Sequence, residues 1–185
     1  MEKTDGPRIQ ISEGFYLSRI TRQDKRAYLE HLSDEEISRN TLRIPFPYTE
    51  ADADSWLDCC EKQACDPEKR FAIRGQTGYL IGSIGIANVI TRGATSAELG
   101  YWLAKSYRGR GLMSRAISVF AEYAFRQLRL TRLYADTFAH NLASQRALEK
   151  AGFQREAILP RHHVKNGLPL DAVRYVKVLG PAVGT

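Results

Sequence analysis

The sequence predicts a single domain of the α/β (α+β) class, in which a mixed, mostly antiparallel sheet carries helices on both faces. Three observations support this. Residues 71–103 run at period two between glycine-bearing turns, the pattern of an antiparallel meander. Leu112 to Leu128 then places Ala116, Ile117, Phe120, Ala124 and Leu128 at spacings of three and four, the pattern of an amphipathic helix on a sheet. Strand, short helix and two further strands follow, so helices and strands interleave. The chain has 185 residues, or about 1.2 domains at roughly 150 residues each, which predicts one domain over 1–185 with dispensable ends near 1–7 and 180–185.

In order, Ile9 to Leu17 reads as a first strand. Thr21 with Asp24 and Thr49 with Asp52 have capping-box spacing, as does Ser33 with Glu36, so helices are expected behind each. The segment Arg43-Ile-Pro-Phe-Pro-Tyr48 carries two prolines and is expected to be an extended connector. Phe71–Arg74, Tyr79–Val89 and Ser96–Leu103 are the meander strands, and Leu133–Phe138 is a buried strand after the long helix. Ala143–Ala151 reads as a helix stopped by Gly152. Phe153–Ile158 and Ala172–Leu179 complete the sheet, with Lys165-Asn-Gly167 as the turn between them.

Hydrophobic residues make up 43% of the chain and charged residues 26%, which excludes disorder, collagen and coiled coil. Cys59, Cys60 and Cys65 form no CxxC pair, and no histidine stands near enough to complete a zinc signature, so reduced thiols, no metal and a cytoplasmic setting are expected. Residues 1–8 lack an apolar signal core, and Tyr79–Ile90 is too short to span a bilayer, so no membrane partner is expected. The net charge of +6 fits an anionic ligand. It is dispersed, and Arg126 to Arg132 lacks interleaved aromatics, which argues against nucleic acid as a direct ligand.

Tyr107-Arg-Gly-Arg-Gly-Leu-Met113 lies between a strand and the long helix. Glycines there let backbone N–H groups converge on an anion at the positive helix end, with Arg108 and Arg110 adding charge, and the inference is a phosphate-binding turn. A loop needing glycine only for its backbone angles is the alternative. A dinucleotide fingerprint would need a third glycine where Ser114 stands, and no GxxxxGK[ST] occurs in the chain.

The runs Ala97-Glu-Leu-Gly-Tyr-Trp-Leu103, Tyr107–Met113 and Asn141-Leu-Ala-Ser-Gln-Arg-Ala-Leu-Glu-Lys-Ala-Gly-Phe153, in this order, resemble the GNAT acetyltransferase superfamily. Together with Pro45–Thr49 and Trp56, they are most similar to the RimJ/RimL type, the ribosomal-protein N-terminal acetyltransferases. The family signature is Arg or Gln, two residues, Gly, one residue, then Gly or Ala; Arg108 and Gly111 match it and Met113 departs from it.

The resemblance implies acetyl-CoA as acyl-donor cosubstrate, with its pyrophosphate on the backbone of Arg108, Gly109, Arg110, Gly111, Leu112, Met113 and Ser114. The pantetheine arm would pair with Tyr101, Trp102 and Leu103 as an added strand. It also implies Asn141 as a CoA contact, Ser144 as the acid that protonates the leaving thiolate, and Arg146 and Lys150 near the ribose phosphate. Helix capping by Asn141 and Ser144, and solvated charge at Arg146 and Lys150, remain open readings. Glu98 is the candidate base, alone or through water, against the alternative of a strand carboxylate paired with an arginine.

Tyr101 and Trp102 either line an acceptor pocket or pack. His162 and His163 are adjacent, so on a strand they are expected to face opposite sides and to be surface residues. Cys59 and Cys60 read as core or helix face. The expected function is acetyl transfer to a primary amine by direct attack in a ternary complex, with a protein N-terminus, such as that of a ribosomal protein, as acceptor. Polyamine, aminoglycoside or amino-acid acetylation, a basic RNA- or ribosome-binding module and a CoA sensor are the rivals. Monomer and homodimer both remain open.

Overall fold

The computed structural model describes residues 6–61, 69–90 and 95–180. The chain forms β1 (Ile9–Ser12), β2 (Phe15–Arg19), α1 (Lys25–Leu32), α2 (Glu35–Arg39), α3 (Glu50–Glu61), β3 (Arg70–Arg74), β4 (Leu80–Ile90) and β5 (Ser96–Leu103). There follow α4 (Leu112–Gln127), β6 (Arg132–Phe138), α5 (Leu142–Lys150), β7 (Gln154–Lys165) and β8 (Leu168–Val178). The eight strands lie in one sheet, ordered β1-β2-β3-β4-β5-β6-β8-β7. Neighbours are antiparallel except β5 and β6, which run parallel because α4 carries the chain back between them.

That parallel pair is short. Only Ser96, Ala97 and Glu98 are in register with Arg132, Leu133 and Tyr134. Beyond them β5 stays on β4 as far as Leu103, while β6 stays on β8 as far as Phe138. The two strands part there, and a cleft opens through the sheet.

Alternation along β5 and β6 gives the cleft two sides. Ala97, Leu99, Leu103, Leu133 and Ala135 join the core cluster with Ala116, Ile117, Phe120, Ala121 and Ala124 of α4 and Leu148 of α5. Trp102 belongs to the other cluster, with Tyr28, Leu32, Leu57 and Cys60 of α1 and α3. Glu98, four positions away on the same strand, therefore lies on the α1–α3 side.

Most predicted elements are present, and the differences have local causes. Ile9–Leu17 is a hairpin rather than one strand, because Gly14 adopts φ +73° and reverses the chain. Thr21 opens a single 3-10 turn before α1, with its N–H donating to Asp24 Oδ2 at 2.8 Å. At α3 the Thr49–Asp52 box closes in both directions, at 2.8 and 3.3 Å. At α2 the cap is Asp34, not Ser33, and it accepts from Glu36 N at 3.1 Å.

The final strands are longer than their apolar runs, because the hairpin pairs out to Lys165 and Leu168. Asn166 and Gly167 supply the two left-handed residues, φ +52° and +78°, that its two-residue turn requires. Asp24 is buried and forms both contacts of a pair with Arg74, at 2.7 and 3.0 Å. Cys60 is a buried free thiol, and burial pushes its pKa up to about 11. Cys59 is disulfide-bonded, which corrects the expectation of reduced thiols; Cys65 lies outside the described residues. No described helix is long and apolar enough to cross a membrane.

Candidate active site

The cleft has a volume of about 910 Å3 and is lined by β5, β6, the glycine turn, α5 and the connector 40–48. Its first wall is the start of α4. Gly109 and Gly111 have φ of +78° and +71°, a region that residues with a Cβ disfavour. Gly111 is the N-cap residue, and no side chain among the described residues caps this end. The first-turn amides of Leu112, Met113 and Ser114 thus have no i−4 carbonyl within the helix, and Arg115 N is the first to find one, at Gly111 O, 3.2 Å away. Ser114 Oγ turns back to Gly111 O at 2.8 Å, and Met113 packs against the α4 core while lining the cleft. Unpaired N–H groups at a helix start suit an anion.

The Arg108 guanidinium is already paired. Its Nε donates to Leu103 O at 2.9 Å, and its terminal nitrogens stand 3.1 Å from Asp34 and 3.0 Å from Glu36. The Arg108 guanidinium thus ties the turn to the start of α2, and the residue also lines the cleft. Arg110, Arg146 and Lys150 are exposed, and none has an ion-pair partner among the described residues.

On the α4–α5 side, Tyr101 Oη and Ser144 Oγ share a hydrogen bond of 2.7 Å. Burial raises the Tyr101 pKa well above the ordinary phenol range, so the pair is neutral and holds protons to give. Asn141 caps α5 by accepting from Ser144 N at 3.1 Å, and its side chain still borders the cleft. Trp102 packs against Tyr28 and His31, with ring centroids 5.8 and 6.4 Å away, so its side chain is core. The Leu103 side chain is buried in the α4 cluster.

On the opposite side, Glu98 accepts a hydrogen bond from Asn88 Nδ2 and stands 3.4 Å from Arg43. Asp136, with a side chain only 4% exposed, binds Arg174 through both oxygens at 2.7 Å. His163 lines the same wall. The expectation that His162 and His163 face opposite sides is not met, because β7 is not a regular strand at the two histidines. A bulge between Leu159 and His163, with Arg161 at φ +50°, breaks the period of two. The imidazoles of His162 and His163 lie 4.6 Å apart, and their nitrogens and an Asp136 oxygen fall within 4.8 Å of one another. Arg174 already occupies both Asp136 oxygens, which disfavours a cation there. Desolvation, with the neighbouring His162 second, lowers the His163 pKa. The hairpin tip roofs this end, where Lys165 Nζ donates to Thr41 O at 2.6 Å and to Ile44 O at 3.1 Å.

A split parallel pair beside an uncapped helix start is the feature that comparison with known proteins bears on. Residues 15–154 match the family model described as an acetyltransferase (GNAT) domain. The chain belongs to the GNAT acetyltransferase family. It is 36% identical over 109 residues to the probable N-acetyltransferase YjcK of Bacillus subtilis, a match covering 58% of this chain and 60% of that one. It is 30% identical over 77 residues to the ribosomal protein uS5-alanine N-acetyltransferase of Escherichia coli, covering 42% and 40%. Among solved structures, RimL, a ribosomal L7/L12 α-N-protein acetyltransferase in complex with coenzyme A, superposes with a TM-score of 0.83 at 16% identity, over 94% of this chain and 98% of that one. This GNAT domain shares the fold of RimL, and the candidate residues of its glycine turn other than Arg110, of β5 and of α5 line one cleft.

Arg43, Asn88, Asp136 and Arg174 were not legible as site residues in the sequence. Asn88 has a left-handed backbone, φ +49°, in the irregularity of the β4–β5 pairing between Ala87 and Ile90, a feature that no composition signal marks.

Proposed function

We propose that this protein transfers the acetyl group of acetyl-CoA to the α-amino group of a protein N-terminus, acting as a RimJ/RimL-type enzyme in the cytoplasm. One observation carries the reading: β5 and β6 part beside the uncapped start of α4, and the residues able to move protons lie on both sides of that gap. Acetyl-CoA, when bound, supplies the acetyl group as an activated thioester. The amides of Leu112, Met113 and Ser114 hold its pyrophosphate, with Gly109 and Gly111 shaping the turn. The β5 edge left free by β6, from Leu99 to Leu103, pairs with the pantetheine arm. A β5 amide beside the gap donates to the carbonyl oxygen as its charge grows. Ser144, backed by Tyr101, delivers a proton to the leaving sulfur.

For the acceptor, the carboxylates nearest the gap are each matched by an arginine, Glu98 by Arg43 and Asp136 by Arg174. A polycation site needs uncompensated acidic charge, so this pairing favours the single amine of an N-terminus over a polyamine. The relatives named for ribosomal-protein N-termini support the same choice.

The test is a calorimetric titration with acetyl-CoA, followed by mass spectrometry of ten-residue peptides beginning with alanine or serine, with spermidine as the competing acceptor. One-site binding with acetylation of a peptide α-amine is expected. Binding with acetylation of spermidine alone would move the acceptor to small amines, and absence of binding would overturn the reading.

A further inference from the structure

Three groups on the α1–α3 side of the gap could take a proton from an incoming ammonium: Glu98, Asp136 and His163. Two are committed. Glu98 is held by Asn88 and Arg43, and Asp136 gives both oxygens to Arg174. His163 has no hydrogen bond or ion pair among the described residues, and it borders the cleft where β7 bulges against β8.

We propose that His163 is the catalytic residue that removes the proton from the acceptor amine, with Asp136 and Arg174 as the charged floor beneath it. This rests on the amine-acetylation reading above.

The groups around the imidazole fit this role. Asp136 acts on it from β6, Glu98 from β5, Arg174 from β8 and His162 from β7, while Phe138 lies edge-on at 5.9 Å with His140 behind it. The nearby cations Arg174 and Arg43 each sit on a carboxylate, so little net charge remains to hold a proton on the ring. Desolvation and His162 act in the same direction, and the ring is neutral at neutral pH, the state a base requires.

The neutral imidazole takes a proton from R–NH3+, and the freed nitrogen lone pair forms the C–N bond. The C–S bond breaks with its electron pair on sulfur, which receives a proton from the Ser144–Tyr101 pair. Of the two protons the nitrogen loses, one leaves through His163 to solvent, and the other replaces the one given to sulfur.

The experiment is the pH dependence of kcat for wild type, His163→Gln and Glu98→Gln, with the alanine- and serine-initiated peptides and spermidine as acceptors, alongside acetyl-CoA titration of each protein. In wild type, kcat should fall on the acid side below the ordinary histidine range, near pH 6.5. His163→Gln should bind acetyl-CoA within about twofold of wild type and lose about 100-fold or more in kcat at pH 7, the scale of general-base catalysis. The loss should shrink above pH 9, where the amine, with an ordinary pKa near 8, deprotonates unaided. A His163→Gln kcat within about threefold of wild type at pH 7, or a loss that high pH leaves intact, overturns the assignment. So does a larger loss in Glu98→Gln that shows the same recovery. Wild type that binds acetyl-CoA yet acetylates none of the three amines overturns the amine reading and the His163 role together, and is told apart by the wild-type assay alone.

Discussion

The guanidinium of Arg108 stands 3.1 Å from Asp34 and 3.0 Å from Glu36, which binds the glycine turn to the start of α2. Arginine at this position therefore ties the loop to α2 and shares its charge with two carboxylates. Arg108→Gln keeps some hydrogen bonding but loses the charge. It is expected to lower stability by about 1 kcal/mol, since the partners are partly solvated. Acetyl-CoA affinity, read by calorimetry, should fall less than tenfold, and the slope of affinity against salt should stay as in wild type. A lost salt dependence would place the Arg108 charge on the ligand instead.

Asp24 and Arg74 form the most deeply buried ion pair among the described residues, with side chains 6% and 11% exposed. Arg74 also donates to Ser18 Oγ at 2.6 Å, Arg19 O at 2.9 Å and Gly78 O at 3.1 Å, so one side chain joins β2, β3 and the turn before β4. Truncating it strands a carboxylate and several acceptors. Arg74→Ala should lower the unfolding free energy by about 3–5 kcal/mol in urea titration. A change below about 1 kcal/mol would mean that water reaches Asp24.

Tyr101 and Ser144 should behave as one unit. If Ser144 delivers the proton and Tyr101 orients it, Tyr101→Phe and Ser144→Ala each slow the chemical step, and the double variant is no slower than Ser144→Ala. The cycle computed from kcat should give a coupling of about 0.5–3 kcal/mol. Strict additivity would separate the two hydroxyls.

How far the site was legible depended on whether its parts are local in sequence. The glycine turn, the meander strands and the Asn141–Gly152 helix are written in short-range patterns, so β5 was placed from Ser96 to Leu103 as observed and α4 to within one residue. The α1–α3 side of the cleft was not legible. It joins Arg43, Asn88, Glu98, Asp136, His163 and Arg174 from six separate segments. It also depends on a bulge at Arg161 that cancels strand alternation at His162 and His163. Capping was partly ambiguous for a similar reason. Ser33 and Asp34 are both good caps, and tertiary contact with Arg108 accompanies the choice of Asp34.

The lowered pKa of His163 also predicts how stability follows pH. Below the ordinary histidine value the unfolded chain binds a proton at this residue, while the folded protein, whose ring is partly desolvated and faces His162, resists it. Between the folded and unfolded pKa values the unfolded state thus holds more protons, and stability rises with pH. The contribution is complete above about pH 6.5 and shrinks as pH falls through the window beneath it. Melting temperatures measured from pH 5 to pH 8 should show wild type losing more on acidification than His163→Gln, with the two curves running parallel above pH 7. Curves parallel throughout would mean that His163 titrates in the folded protein as it does in the unfolded chain, and that water reaches the ring from the roofed end of the cleft.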